Sequence, residues 1–151
     1  VPREVTPGIY RNSDSSGWCY WARLSGFSGD LDDIITNEFT NEIDIVTIEA
    51  GDVGFESDRC GTWSTNMSPR TASPTAAFGG GTFLVGPEIA AGTWRNSNSS
   101  AGCYWERLSG FTGELGDIIT NSFSSVIQAV TVASTDAGFS SEGCGTWSRI
   151  P

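Results

Sequence analysis

The chain has 151 residues, a formal net charge of -10 and no histidine, and all eight of its basic residues are arginines. The lack of histidine and lysine excludes a Ser-His-Asp triad, imidazole metal ligands, Schiff-base chemistry and the lysine of a phosphate-binding loop. An acidic chain is a poor partner for polyanions, and no apolar run is long enough to cross a bilayer, so we expect neither nucleic-acid binding nor a membrane span.

An internal repeat covers most of the chain. Residues 1–64 align with residues 85–148 without a gap, and more than half of the aligned positions are identical. Residues 65–84 lie between the copies. They are rich in Ser, Thr, Pro and Gly and end in an apolar run, a composition that predicts a linker with a strand-like end. We therefore predict one module at 1–64, a linker at 65–84 and a second module at 85–151.

Apolar residues alternate with a period of two, which is typical of β-strands. Cys19–Leu24 shows this alternation, and Ile43–Ile48 is rich in β-branched residues. Leu31–Phe39 is compatible either with one helical turn capped by Asp32 or Asp33 or with a short strand. The predicted fold class is all-β, with two duplicated antiparallel sandwich or barrel modules, each closed by one disulfide.

The four cysteines lie at equivalent places in the two copies. The repeat favours one disulfide within each module, with the pairs Cys19–Cys60 and Cys103–Cys144. Free thiols and a zinc site built from all four cysteines are the alternatives. In the chain-entropy model each bond stabilises its module by about 4 kcal/mol. Disulfides indicate an oxidising compartment, and the N-terminal Val1 fits removal of a signal peptide, so we expect a secreted protein.

One arginine in each copy lies at an inward position of the strand that follows the first cysteine. A buried guanidinium needs an acidic partner, and two aspartates are present in both copies. We predict an internal ion pair in each module, between Arg23 and Asp33 or Asp52, and between Arg107 and Asp117 or Asp136. An anion-binding arginine is the functional alternative.

A second candidate site is a set of aromatic side chains suited to stacking on sugar rings. Ala22 is replaced by Glu106 in the second copy, so we expect this side of the strand to face water. Trp18, Tyr20 and Tyr104 lie on that side and form the predicted ligand face.

Acidic and hydroxyl-bearing residues suggest further sites. The run Asp30–Asp33 offers hard oxygen ligands for Ca²⁺, with a solvated turn as the alternative, and we predict no resident cofactor. Glycosylation sequons begin at Asn66 and Asn98. The candidate O-glycan sites in the linker are Thr71, Ser73 and Thr75.

Two motifs recur in both copies, Cys-Tyr-Trp-x-Arg and Cys-Gly-Thr-Trp, and in the first copy they begin at Cys19 and Cys60. They resemble the accessory β-modules of secreted and surface-anchored bacterial proteins. The resemblance covers both copies, and it implies an extracellular β-fold without implying an activity or a binding site.

These features predict a non-catalytic structural protein, the subunit of an extracellular filament, sheath or surface layer. The first copy starts at Val1 and lacks the lead-in that Gly80–Leu84 gives the second, so we expect an open sheet edge there. Strand addition at that edge, with the linker as donor, predicts self-association. The alternative is a bivalent glycan-binding or adhesion protein, in which two modules on one chain increase avidity. An enzyme is not expected.

Overall fold

A computed structural model describes residues 4–97 and 101–151. The described residues form thirteen β-strands and two short 3-10 turns. The chain divides into two compact units: unit 1 is Val1–Met67 with Phe111–Leu115, and unit 2 is Ser68–Gly110 with Gly116–Pro151. No helix in the described part of the chain is long and apolar enough to cross a membrane.

Unit 1 contains two three-stranded sheets. The strands are β1 (Gly8–Asn12), β2 (Cys19–Leu24), β3 (Ile34–Thr40), β4 (Ile45–Ile48), β5 (Gly54–Asp58) and β6 (Trp63–Ser64). The sheet orders are β4-β1-β6 and β3-β2-β5, and all neighbouring strands are antiparallel. The segment before β3 is one 3-10 turn at Leu31–Asp33, so turn and strand follow each other there.

Unit 2 repeats this arrangement and adds a strand. Its strands are β7 (Gly81–Leu84), β8 (Gly92–Asn96), β9 (Cys103–Leu108), β10 (Ile118–Ser124), β11 (Ala129–Val132), β12 (Gly138–Glu142) and β13 (Trp147–Arg149). The sheet orders are β11-β8-β13 and β10-β9-β12-β7. The additional strand, β7, pairs with β12 in antiparallel register.

Each unit has an apolar core to which both of its sheets contribute, as in a β-sandwich. In unit 1 the core includes Trp21 and Val46 next to the Cys19–Cys60 disulfide. The core of unit 2 is larger, and its buried members are Phe78, Phe83, Ile89, Trp94, Cys103, Val130, Val132, Phe139, Cys144 and Trp147. The predicted all-β fold of two tandem, disulfide-closed modules is confirmed.

The expectation that one side of β2 faces water is wrong at Ala22. This residue is fully buried, while Tyr20 on the same side is half-buried. β2 is the central strand of its sheet, and Ala22 lies between Asn37 of β3 and Glu56 of β5. A methyl group flanked by longer side chains on both neighbouring strands is covered by them even on a solvent-facing side.

Most of the predicted linker, from Ser68 onward, folds with unit 2. The carboxylate of Glu88 is buried and accepts hydrogen bonds from the backbone N–H groups of Arg70 and Leu84, at 2.8 and 3.0 Å. The Arg70 guanidinium lies 4.3 Å from the centre of the Phe83 ring and donates to the carbonyl of Thr82. This segment is therefore tied to β7 and to the loop that follows it.

Candidate functional site

A buried arginine organises one end of unit 1. Arg23 lies on β2, and its side chain is 1% exposed. Its Nε and Nη2 donate to the two carboxylate oxygens of Asp52 at 2.8 Å each, and Nη2 also donates to Glu49 at 2.7 Å. The hydrogen bonds to Asp52 raise the pKa of Arg23 against the opposing effect of burial. The guanidinium therefore stays charged and links β2 to the loop that follows β4.

The segment Phe111–Leu115 completes this cluster within unit 1. Nη1 of Arg23 donates to the carbonyl of Thr112 at 2.7 Å and to the carboxylate of Glu114 at 3.2 Å. The backbone N–H of Thr47 donates to the carbonyl of Phe111 at 2.6 Å. The side chain of Arg23 and the backbone of the edge strand β4 thus bind backbone carbonyls of this segment, and its acid contacts the arginine.

Close approach explains the glycine in the middle of the segment. Gly113 has φ +80°, and a Cβ at this position would lie 2.7 Å from the Trp21 ring. Its carbonyl accepts a hydrogen bond from Oγ1 of Thr36 at 2.8 Å. Only a residue without a side chain allows this backbone to lie against Trp21.

Unit 2 contains a simpler version of the arginine cluster. Nε and Nη2 of Arg107 donate to Asp136 at 2.7 and 2.9 Å, and no other described residue forms a hydrogen bond or ion pair with this guanidinium. The Arg107 side chain is 21% exposed. The position of Glu49 is taken by Ala133, so the second acid is missing. The hydrogen bond to Asp136 raises the pKa of Arg107.

Of the alternative partners, Asp52 binds Arg23 and Asp136 binds Arg107. Asp33 and Asp117 form hydrogen bonds in other places. The carboxylate of Asp33 accepts hydrogen bonds from N and Oγ of Ser28, at 2.6 and 2.5 Å, which lower its pKa. The carbonyl of Asp117 accepts a hydrogen bond from the N–H of Ser109. Asp33 and Asp117 therefore shape the loops that precede β3 and β10.

Acid should destabilise unit 2 through Asp136. Burial is the largest single effect and opposes ionisation of this carboxylate. The hydrogen bonds from Arg107 and from the backbone N–H of Ala133, together with the charge of Arg107, outweigh burial, and the pKa is lowered. The stability it contributes is therefore full above the pKa of an unfolded aspartate, about 3.9, and is lost as the pH falls through the lower folded value. We expect Asp136→Asn to lose about 1–3 kcal/mol near neutral pH.

Urea unfolding across this acidic range measures the effect. The difference between Asp136→Asn and the parent chain should shrink as the pH falls. Asp32→Asn, a change at an exposed aspartate, is the control and should leave stability unchanged. A difference that stays constant down to the lowest pH would contradict the assigned role of Asp136.

Exposed aromatic rings occupy matching places on the two modules. Tyr20 pairs across the strands with Phe39, and Tyr104 pairs in the same way with Phe123, so each pair lies on one side of its sheet. Both phenylalanines are exposed. Trp18 stacks on Phe39 with ring centroids 5.3 Å apart. The aromatic face therefore contains Phe39 and Phe123, which sequence reasoning missed although the repeat preserves both.

The remaining predicted sites are placed as follows. Both disulfides form within their modules, Cys19–Cys60 and Cys103–Cys144. In the described ranges no group of three or more Asp, Glu or Cys side chains is arranged to hold a metal ion. Asn66, Ser73 and Thr75 are exposed, whereas the hydroxyl of Thr71 donates to the carbonyl of Glu88 at 2.6 Å. Asn98 lies outside the described residues.

The residues around Arg23 that sequence reasoning missed share one signal. Thr36, Thr47, Phe111 and Gly113 are each identical to their counterpart in the other copy. Identity between copies marks positions that tolerate little change, but it does not say what they contact. Their roles are defined by the contacts that the segment at 111–115 makes within unit 1.

The fold and these sites define a tandem pair of disulfide-closed β-sandwich modules. The model of the Rv1352-like extracellular domain family matches residues 1–64 and 75–148, which is most of the chain, and the protein belongs to this family as two tandem copies. The predicted extracellular location is confirmed. The second match begins before the repeat does and includes β7. A search of curated proteins and a search of solved structures each found no match.

Proposed function

We propose that the protein is a non-catalytic structural protein that assembles into an extracellular filament, sheath or surface layer. The observation that carries the proposal is the edge of β5. In unit 2, β12 pairs with β9 on one side and with β7 on the other. In unit 1, β5 pairs with β2, and no described residue pairs with its outer edge. An unpaired edge presents N–H and C=O groups that template another strand.

We propose that a strand from a neighbouring copy completes this edge, by the strand addition that other β-proteins use. The strand at the equivalent edge of unit 2 is β7, Gly81–Leu84, in which Phe83 is buried in the core of its own unit, so we propose an incoming strand of similar chemistry. Because β7 is already paired with β12 in its own unit, the linker segment is not a free donor in the form that the structure describes.

Negative-stain microscopy and light scattering of the protein as secreted test the proposal. Long regular filaments or sheets would support it, whereas particles with the mass of one chain would contradict it. A peptide with the sequence of residues 78–87 should block assembly by occupying the β5 edge. The same peptide with Phe83→Pro is the matched control and should fail, since proline removes a backbone donor.

The repeated motifs support a narrower proposal on origin. The Cys-Tyr-Trp-x-Arg and Cys-Gly-Thr-Trp strings resemble those of accessory modules of secreted and surface-anchored bacterial proteins. We propose that both modules are of this kind, and that their work is assembly or attachment.

A specific observation favours a second candidate function, bivalent glycan binding. The aromatic faces of the two modules match, because Phe39 and Phe123 are both exposed beside equivalent tyrosines. Aromatic faces suit stacking on sugar rings, and two linked sites increase avidity. Titration of common glycans with tryptophan fluorescence as readout tests this function separately from assembly.

A further inference from the structure

The contact made by the segment Phe111–Leu115 has two sides, the segment itself and the residues that bind it. Each side has an equivalent of nearly identical chemistry in the other copy, and both equivalents are unoccupied in the described structure. In the filled version, four residues of the first module bind the segment: Trp21, Arg23, Thr36 and Thr47. The equivalent residues of the second module are Trp105, Arg107, Thr120 and Thr131, unchanged in type. We call this second set the arginine face.

The binding segment is also repeated. Phe111-Thr-Gly-Glu corresponds to Phe27-Ser-Gly-Asp, so the phenylalanine, the glycine and the acid are kept. Gly29 has φ +87° against +80° for Gly113, so the two glycines share the left-handed conformation. We call Phe27–Asp30 the docking loop. A Cβ at Gly29 would meet nothing within 4 Å, so the space that Trp21 and Thr36 occupy beside Gly113 is empty here.

Exposure shows that the equivalent halves differ in occupancy. Phe111 is 7% exposed, whereas Phe27 is 74% exposed. Arg23 is 1% exposed and Arg107 is 21% exposed. The other three residues of the arginine face, Trp105, Thr120 and Thr131, are also more exposed than their counterparts in the first module. One loop and one face are thus covered, and the equivalent loop and face are open.

Strand pairing among the described residues also leaves a backbone donor open at the arginine face. Thr47 pairs with Ile9 and directs its N–H away from β1, to the carbonyl of Phe111. Thr131 pairs with Thr93 in the same register, on β11, the edge strand of its sheet. The N–H of Thr131 therefore points away from β8, in position to meet a backbone carbonyl of an incoming loop.

We propose that the docking loop of one molecule binds the arginine face of a second copy of the same chain. In this contact the N–H of Thr131 meets the carbonyl of Phe27, Thr120 meets that of Gly29, and Arg107 binds the carbonyl of Ser28 and the carboxylate of Asp30. The loop and the face belong to different modules, so the contact is heterologous and repeats from chain to chain. It presupposes the proposed assembly and names one of its interfaces.

Charge favours this docking. Arg23 is already neutralised by Asp52 and Glu49 before Glu114 is added, whereas Arg107 has Asp136 alone because Ala133 replaces the second acid. The Asp30 carboxylate therefore approaches an arginine with fewer competing acids. A charge-assisted hydrogen bond formed there is shielded from water once Phe27 covers the face.

Sedimentation velocity of the full chain over a range of concentrations tests the contact. Phe27→Ala and Asp30→Lys alter exposed side chains, and each should weaken self-association by about tenfold or more. Leu31→Ala is the matched control, because Leu31 and its docked counterpart Leu115 are both exposed, and it should leave association unchanged. Asp30→Glu copies the docked loop and should also retain association. Circular dichroism checks that each variant is folded.

Mixing two defective chains locates both halves of the contact. Phe27→Ala leaves the arginine face intact, and Thr120→Lys leaves the docking loop intact, so each should associate poorly alone and form one-to-one pairs through this contact when mixed. Failure of the mixture to regain association would overturn the proposal. Unchanged association of Phe27→Ala and Asp30→Lys would overturn the contact and leave the proposed function standing. A parent chain that stays single at every concentration would overturn both.

Discussion

Replacing Arg23 with methionine is expected to destabilise unit 1 by about 3–5 kcal/mol. Methionine fills much of the space but carries no charge, so the buried carboxylate of Asp52, 4% exposed, loses its counter-ion and two charge-assisted hydrogen bonds. Glu49 and Glu114 lose their shared partner at the same time. Uncompensated burial of a carboxylate is among the largest effects of a single substitution.

Arg107→Met is the matched control. Arg107 occupies the equivalent strand position but binds one acid and is partly exposed, so solvent compensates for part of the loss and the effect should be smaller. Thermal and urea unfolding compare the two variants with the parent chain. A loss of about 3 kcal/mol lowers the melting temperature of a module of this size by more than about 10 °C. Equal and small effects of both substitutions would show that the Arg23 cluster does not stabilise unit 1.

The duplication made much of the architecture predictable. Two cysteines at equivalent places in each copy favour bonds within the modules, and apolar alternation along Cys19–Leu24 predicts a strand because side chains of a strand alternate between its two sides. The extracellular location follows from the same disulfides. These predictions depend on local pattern and on symmetry, which a single sequence displays directly.

Contacts between segments distant in sequence were not predictable. Arg23 and Arg107 have nearly identical local sequences, yet one is covered by the segment at 111–115 and the other is not, so local pattern cannot tell them apart. The choice between Asp33 and Asp52 was equally open, since both recur in the second copy. It is decided by loop geometry, which places the carboxylate of Asp33 on the N–H of Ser28 instead of on the arginine.

Composition also hides the role of the segment between the copies. Ser, Thr, Pro and Gly indicate extended backbone, but an extended backbone can lie against a core as readily as in solvent. Phe78 is the residue that decides between these states here, because its ring is buried among the aromatic residues of unit 2. One apolar side chain in a polar stretch gives little indication in the sequence that the stretch is folded, although its burial contributes strongly to packing.

Replacing Phe78 with alanine should therefore destabilise unit 2 by about 3–5 kcal/mol. Its ring lies 5.1, 5.0 and 6.0 Å from the rings of Phe83, Trp94 and Phe139, and its backbone exchanges two hydrogen bonds with Trp147, at 3.1 and 2.7 Å. Truncation leaves a cavity lined by rings that cannot all move to close it, because the backbones of β7, β8 and β12 hold them.

Phe78 lies outside the aligned repeat, so the control substitution is chosen from its own segment. Thr75→Ala, an exposed change three residues earlier in the same segment, is therefore the matched control and should leave the unfolding midpoint in urea unchanged. Phe78→Ala should lower that midpoint and loosen β7, measured as faster amide exchange at Phe83, which pairs with Phe139 of β12. Parent-like unfolding and exchange would show that the segment only covers unit 2, whereas the expected loss would establish residues before the aligned repeat as part of the folded module.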